Sequence, residues 1–192
     1  MLELLESLDR DLFLMINGFN SPIADFFMWH ASRKYHWLPF YLLLFYWVFK
    51  KYRFDIWKVV IGLAVIIVIT DQVSVNIFKE NFQRFRPCHN LDLKEIVHLI
   101  NNKCGGKYGF ISSHASNYFG ISSFLGMILN KGNSMRNFYW LMLWASFISY
   151  SRIYMGVHYP SDVFVGAIFG LMVGLSIYGL VRKFKILKTD HD

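Results

Sequence analysis

The chain has 192 residues and a formal net charge of +7, and 55% of its residues are hydrophobic. Soluble domains do not gather such a fraction into long apolar runs. Here residues 59–69 contain no polar side chain, and residues 163–181 contain a single serine. A soluble fold is therefore excluded. The basic residues lie at the ends of apolar runs rather than in one stripe, which argues against nucleic acid as a partner and for an integral membrane protein.

The first 34 residues differ from the rest of the chain. Residues 1–19 place leucines at helical spacing and acidic side chains on the opposite face, a pattern typical of an amphipathic helix. Such a helix either lies in the membrane interface or packs on the bundle. Residues 23–32 form a second apolar segment, but Arg33 and Lys34 follow too soon for a comfortable span. We expect residues 1–34 to be an amphipathic, interfacial N-terminal segment.

Five apolar segments follow, and an α-helix needs about 20 residues to cross a bilayer. They are residues 36–49, 56–78, 115–129, 137–154 and 160–181. The sequence thus predicts an all-α fold: a polytopic transmembrane helical bundle of about five spanning helices plus the N-terminal amphipathic helix. A single membrane-embedded domain would cover residues 1–192. In the last segment Gly166, Gly170 and Gly174 recur every four residues and predict close packing against another helix.

Loop charges predict the orientation, because basic loops stay on the cytoplasmic side. The basic residues fall in alternate loops, at Lys50, Lys51, Arg53, Lys58, Lys131, Arg136, Arg182, Lys183, Lys185 and Lys188. The long polar segment 79–113 and the turn 151–162 would then share the outer face. Cys88 and Cys104 both lie in that outer segment. An oxidising compartment would favour a disulfide between them, with two free thiols as the alternative.

The turn 151–162 gathers polar chemistry between two apolar segments, where ionisable groups are costly and often functional. The planar guanidinium of Arg152 suits phosphate oxygens. His158 can attack phosphorus as a nucleophile. Asp162 can accept the other imidazole N–H, which fixes the tautomer and stabilises the cation that forms. An ordinary polar turn at the interface is the alternative interpretation.

Two further groups of residues on the predicted outer face complete the needs of phosphate-ester hydrolysis. Lys79 and Arg86 can join Arg152 in neutralising the phosphate and its transition state. His114 can give a proton to the leaving group. The segment ending at Ser113 leads into a helix whose free N–H groups favour an anion. No carboxylate cluster suggests a metal site, so we expect neither a metal nor another cofactor.

These residues fall into three motifs that occur in order: Lys79-x6-Arg86-Pro87, Ser112-Ser113-His114 and Ser151-Arg152-x5-His158-x3-Asp162. They resemble the signature motifs of the type 2 phosphatidic acid phosphatase superfamily. That resemblance covers roughly residues 36–181. It implies a helical bundle whose membrane members hydrolyse lipid phosphates and diphosphates without metal.

The resemblance also implies a role for each motif residue. Phosphate would be bound by Lys79, Arg86 and Arg152, with Ser112, Ser113 and their backbone assisting. His158 would form a phosphohistidine, Asp162 would support it, and His114 would protonate the leaving group. The family usually has glycine where this chain has Ser113, so a Cβ would sit beside the phosphate. The serine hydroxyl is a candidate replacement for the lost backbone contact.

The small single-domain chain looks most like bacterial members that act on undecaprenyl diphosphate at the inner (plasma) membrane, with the active site facing the periplasm or the outside. Phosphatidylglycerophosphate, phosphatidic acid and lipid A phosphates remain alternative substrates. The expected partners are a lipid phosphate and the bilayer, and the oligomeric state stays open. A non-enzymatic lipid binder or transporter is a different alternative, but the intact histidines argue against it. A vanadate-dependent haloperoxidase shares the anion site, yet those proteins are soluble.

Overall fold

The computed structural model describes residues 2–130 and 134–187. Across these ranges the chain forms helices and irregular connections, with one isolated bridge between Phe85 and Tyr108 and no β-strand. The main helices are α1 (Leu2–Gly18), α2 (Pro22–Ser32), α3 (Leu38–Tyr52), α4 (Ile56–Gln72), α5 (Ser113–Leu129), α6 (Arg136–Tyr154) and α7 (Pro160–Lys183). Helix α4 continues as a π-helix over Val73–Lys79 and ends in the turn Glu80–Phe82. The expected basic positions Lys131 and Lys188 lie outside the described residues.

Helix α5 lies at the centre of the bundle and contacts α3, α4, α6 and α7. Tyr41 and Tyr52 of α3 bond Tyr118 and the Ile128 carbonyl in order, so α3 runs parallel to α5. On α4, Thr70 bonds Asn117, whereas Gly62 lies against Phe124 further along α5, so this pair is antiparallel. No large hydrophobic side chain of α5 is exposed, whereas α3, α4, α6 and α7 all expose several. The outer helices therefore present apolar side chains to their surroundings, as a bilayer requires.

The packing of α5 against α7 depends on the glycines that the sequence pattern predicts. A Cβ on Gly170 would lie 2.1 Å from the Ser116 carbonyl oxygen, and one on Gly174 would lie 2.3 Å from that of Gly120. The two backbones approach too closely for any larger residue. These contacts also place the start of α7 beside the start of α5, and both helices begin at motifs singled out in the sequence.

Two described helical stretches are long and apolar enough to cross a membrane: Lys34–Phe82 and Pro160–Lys183. The first stretch contains both α3 and α4. The chain reverses between these two helices at Arg53, where φ is 44°. The expected count of about five spans is therefore not confirmed, although the helices fall close to the predicted segments.

The N-terminal helix α1 packs on the bundle through a face that carries Phe13, Ile16 and Asn17. Leu4, Leu5, Leu8 and Leu12 point outward and are 43–62% exposed, whereas Phe13 is fully buried and contacts the ring of Tyr159. One face of α1 thus contacts the bundle while an apolar face stays exposed, and the interfacial position of residues 1–34 stays a prediction.

The outer segment between α4 and α5 folds back on itself beside the start of α7. Arg86 donates its backbone N–H to the Lys107 carbonyl, and Gly109 donates to the Arg84 carbonyl. Cys88 and Cys104 are joined as a disulfide with their Cα atoms 5.9 Å apart. The two ends of the segment are therefore held together, with Arg86 next to Gly105.

Candidate active site

His158 and Asp162 form the core of the site at the junction between α6 and α7. The two residues are four apart, and the proline at position 160 opens α7 between them. His158 Nδ1 lies 3.3 Å from Asp162 Oδ2, which also accepts the backbone N–H of Tyr159 at 3.0 Å. The same carboxylate therefore caps α7 and orients the imidazole. Both side chains are almost fully buried.

The tautomer of His158 follows from its partners. Arg86 Nη1 lies 3.2 Å from His158 Nε2, and a guanidinium can only donate. Nε2 must therefore accept with its lone pair, and the ring proton sits on Nδ1, facing Asp162. Burial lowers the pKa of His158 well below its usual range, and the charges of Arg86 and Arg152 act in the same direction. The ring is thus neutral, with its nucleophilic nitrogen facing a cation.

Three cationic side chains from three different elements lie around the two histidines. Lys79 comes from the π-helical end of α4, Arg86 from the outer segment and Arg152 from the last turn of α6. The charges of all three lie close enough to act on both His158 and His114. The structure thus brings the predicted phosphate-binding cations and both predicted histidines into one place.

The guanidinium groups of this cluster are poised for an anion. The Nε atoms of Arg86 and Arg152 are buried and have no hydrogen-bond partner among the described residues. Arg152 Nη1 contacts the Ser32 hydroxyl at the end of α2, and Lys79 donates to Ser113 Oγ at 2.7 Å. Buried donors without partners are costly. A phosphate with several acceptor oxygens would satisfy them.

Ser112 has a structural role at the start of α5. Its hydroxyl accepts the N–H of Ala115 and so caps α5, while its own N–H donates to the Asp162 carbonyl at 2.9 Å. Its backbone N–H and one lone pair of its hydroxyl oxygen are therefore used within the fold, and its contact with a phosphate stays a prediction. Ser113 is the serine whose hydroxyl faces the cluster, through Lys79. The N-cap of α5 is thus the first serine of the pair.

Sequence reasoning missed a group of contacts on the side of Asp162 away from His158. The group consists of Arg84, Ser161 and Asp9. Arg84 donates to Asp162 Oδ1 at 2.9 Å and to Ser161 Oγ at 2.6 Å. It also forms an ion pair with Asp9 of α1 at 2.7 Å. The available signal was an arginine two positions before Arg86. Its partner on α1 was not foreseeable, since Asp9 lies 75 residues away.

An apolar cavity of about 590 Å³ reaches the cluster at His114. It lies among α3, α4, α5 and α6, and Leu44, Val59 and Ile121 are typical of its walls. Lys34 and Asn117 are among its few polar lining residues. A cavity of this kind, between membrane helices and ending at a charged cluster, suits a molecule with a hydrocarbon chain and an anionic head.

Comparison with known proteins identifies the family. The model of the PAP2 superfamily matches residues 56–186. A lipid A 4'-phosphatase of Bacteroides thetaiotaomicron is 34% identical over an alignment of 192 residues, covering 95% of this chain and 81% of the relative. A lipid A 4'-phosphatase of Porphyromonas gingivalis is 35% identical over 180 residues, covering 92% and 74% respectively.

A solved structure has the same fold. The crystal structure of a transmembrane PAP2-type phosphatidylglycerolphosphate phosphatase from Bacillus subtilis matches with a TM-score of 0.73 at 19% identity, covering 93% of this chain and 87% of that one. Together with the family match over most of the chain, the shared fold accounts for the three motifs converging at one end of the bundle. The chain belongs to the PAP2 superfamily and is a membrane lipid phosphatase.

Proposed function

We propose that the chain removes a phosphate from the headgroup of lipid A, through a phosphohistidine formed at His158. The observation that supports the chemistry is the position of His158 Nε2, which faces Arg86 while Nδ1 is backed by Asp162. A neutral, oriented imidazole next to cationic donors is what nucleophilic attack on a phosphate dianion requires.

In the first step the phosphate binds among Lys79, Arg86 and Arg152. The lone pair of His158 Nε2 forms a bond to phosphorus while the ester P–O bond breaks. Asp162 stabilises the positive charge that develops on the ring through its contact with Nδ1. The leaving oxygen takes a proton from His114. A bound phosphate also supplies the negative charge that a protonated imidazole at position 114 needs beside three cations.

In the second step water replaces the imidazole. His114, now neutral, takes a proton from the water as its oxygen bonds to phosphorus, and the P–N bond breaks. Inorganic phosphate leaves, and both histidines return to their starting states. The three cations stabilise the charge on the equatorial oxygens in both steps, which is the task that a metal ion performs in many other phosphatases.

The substrate assignment rests on the relatives and on the cavity. Two relatives that align over more than nine-tenths of this chain are lipid A 4'-phosphatases. The sequence alone led us to expect undecaprenyl diphosphate as the substrate. These relatives favour lipid A instead. The cavity that meets the cluster at His114 offers space for one hydrocarbon chain near the leaving group. Phosphatidylglycerophosphate and phosphatidic acid remain weaker candidates.

We also propose that α3 to α7 all cross the bilayer with the site at the outer face. Lys51 bonds the Asn130 carbonyl at the far end of α5, so the basic loops gather at the end opposite the catalytic cluster. The positive-inside rule then places the cluster in the periplasm. The exposed apolar side chains on α3, α4, α6 and α7 match the lipid contact that such a bundle needs.

The test is phosphate release by the purified protein from lipid A, undecaprenyl diphosphate, phosphatidylglycerophosphate and phosphatidic acid, with a chelator present. We expect the highest kcat/KM on lipid A, with the phosphate lost from the 4'-position as judged by mass spectrometry of the product. The matched control is His158→Ala, which should release none. A preference for undecaprenyl diphosphate of tenfold or more would overturn the substrate assignment.

A further inference from the structure

We propose that Arg84 and Asp9 are positioning residues for the catalytic pair, so that the N-terminal helix α1 takes part in catalysis. The inference rests on the proposed roles of His158 and Asp162. Neither Arg84 nor Asp9 belongs to the three motifs. Their contacts nevertheless determine where the carboxylate of Asp162 points.

Asp162 divides its two oxygens between two partners. Oδ2 faces His158 Nδ1 and the Tyr159 N–H, whereas Oδ1 accepts from Arg84 at 2.9 Å. The carboxylate is fully buried, and a buried charge needs a paired counter-ion. Arg84 supplies that counter-ion at the oxygen that His158 does not use. Without it, we expect the carboxylate to shift toward other donors and to lose its alignment with the imidazole.

Arg84 is itself fixed on three sides. Nη2 forms the ion pair with Asp9 at 2.7 Å, and Nη1 donates to Ser161 Oγ at 2.6 Å. The guanidinium carbon lies 4.2 Å from the centre of the Tyr159 ring. Asp9 also accepts the Ser161 N–H at 2.8 Å and the Ser161 hydroxyl, so α1 is tied to the first turn of α7 at two points. The side chains of Arg84 and Asp9, which lie behind Asp162, are therefore both held in one orientation.

Arg84 does not act as a phosphate ligand. It lies beyond Asp162 as seen from His158, and its hydrogen bonds go to Asp9, Ser161 and Asp162. Removing it should therefore lower kcat and leave KM nearly unchanged. Loss of Arg86 or Arg152, by contrast, should impair both binding and turnover.

The first test compares Arg84→Ala with Arg84→Lys on lipid A. We expect Arg84→Ala to lower kcat by roughly 10- to 100-fold, the range typical of losing a residue that orients a metal-bound histidine. Arg84→Lys should lose less activity. Added guanidinium should restore part of the lost kcat. A depression of about 830 Å³, lined by Arg84, Asp9, Tyr159 and Ser161, leads from solvent to the vacated position.

The second test asks whether Asp9 acts through Arg84. Asp9→Asn should lower kcat less than Arg84→Ala does, and the double variant should be no worse than Arg84→Ala alone, because the two residues form one chain of contacts. Arg10→Ala is the matched control. Arg10 neighbours Asp9 on α1 and lines the same depression, but it pairs with the exposed Asp92 at 3.7 Å. Its kcat should match that of the wild type.

Four results would overturn the inference: an unchanged kcat in Arg84→Ala, a raised KM at normal kcat, no guanidinium rescue, or additive losses in the double variant. If Arg84→Ala does not fold, Asp9→Asn and Arg84→Lys decide the question by the same criteria. Residual turnover in His158→Ala would instead refute the proposed function. An inactive His158→Ala beside a normal Arg84→Ala would refute the inference alone.

Discussion

The two histidines of the site have different surroundings, which suit different roles. His158 contacts Arg86 through one ring nitrogen and Asp162 through the other, so its orientation is fixed from both sides. His114 is the second residue of α5 and borders the apolar cavity. Its ring centre lies 6.3 Å from that of Tyr118, with the two rings tilted by 41°. The first arrangement suits a nucleophile, and the second suits a group that meets the leaving oxygen of a lipid.

Substitution of each histidine should therefore have a different signature. His158→Ala should abolish turnover on every substrate, because the variant lacks the proposed nucleophile. His114→Ala should lose less on substrates with acidic leaving groups, since these need little help from a proton donor. Rates on a series of phosphate esters with graded leaving-group pKa values test this. Equal losses in both variants across the series would contradict the assigned roles.

Arg152 illustrates why charge alone does not make a phosphate site. Its Nε is buried without a partner, and one Nη contacts Ser32, so its fork of donors is available to an anion. Arg152→Lys should lose most of the activity, because an ammonium cannot reproduce two-point binding of a phosphate. Steady-state kinetics of the purified variant provide the measurement. Near-normal kcat/KM would remove Arg152 from direct contact with the substrate.

At the scale of elements, the α5–α7 pair links the fold to the chemistry. Each helix begins at a motif, and the Ser112 N–H to Asp162 carbonyl bond joins the two starts. Close approach through Gly166, Gly170 and Gly174 then holds the starts in register. His114 and His158 are consequently positioned by one helix pair.

Gly170→Ala should destabilise the protein, because the new Cβ would meet the Ser116 carbonyl at 2.1 Å. Overpacking of this kind costs about 1–3 kcal/mol, so we expect a lower thermal midpoint in detergent. Gly179→Ala on the same helix is the matched control, since nothing lies within 4 Å of its Cβ position. Equal midpoints for the two variants would mean that the backbones do not approach as described.

Much of this arrangement could be predicted from the sequence, for identifiable reasons. The helices lie where apolar runs are bounded by charges, and α5 begins at Ser113 rather than at 115 because Ser112 is its N-cap. Successive helices run in alternating directions, so the helix ends and connecting segments that carry the motifs meet at one end of the bundle. These parts of the chain hold Lys79, Arg86, Arg152, His114 and His158. The sequence analysis did not predict the π-helical turn that carries Lys79. The contact of Asp9 with Arg84 depends on tertiary packing, which helical periodicity does not report.

At the scale of the whole molecule, the site lies at one end of the bundle, and the loops that the sequence predicts to be cytoplasmic lie at the other. Arg53, Lys58 and Arg182 lie near one end, and the disulfide segment and the site lie at the other. Basic residues in short loops favour the cytoplasmic side during insertion. The disulfide at the catalytic end agrees with an oxidising compartment on that side.

Thiol labelling of intact cells tests this orientation. Cys88 and Cys104 should react with a membrane-impermeant reagent only after an impermeant reductant has been added, because they are paired and outside. The Cys88→Ser/Cys104→Ser variant is the background control. Labelling without reductant would reject the bridge in cells, and labelling only after lysis would reverse the proposed orientation.

The central claim is that His158 carries the phosphoryl group during turnover, and trapping that intermediate tests it most directly. The His114→Ala variant should form the intermediate from a substrate with a good leaving group and hydrolyse it slowly, because the water lacks its base. Denaturation in alkali followed by peptide mass spectrometry locates the modification. We predict one phosphoryl group on His158, absent when His158→Ala is added to the variant. A phosphoryl group on Ser113 or another side chain, or its persistence without His158, would contradict the account.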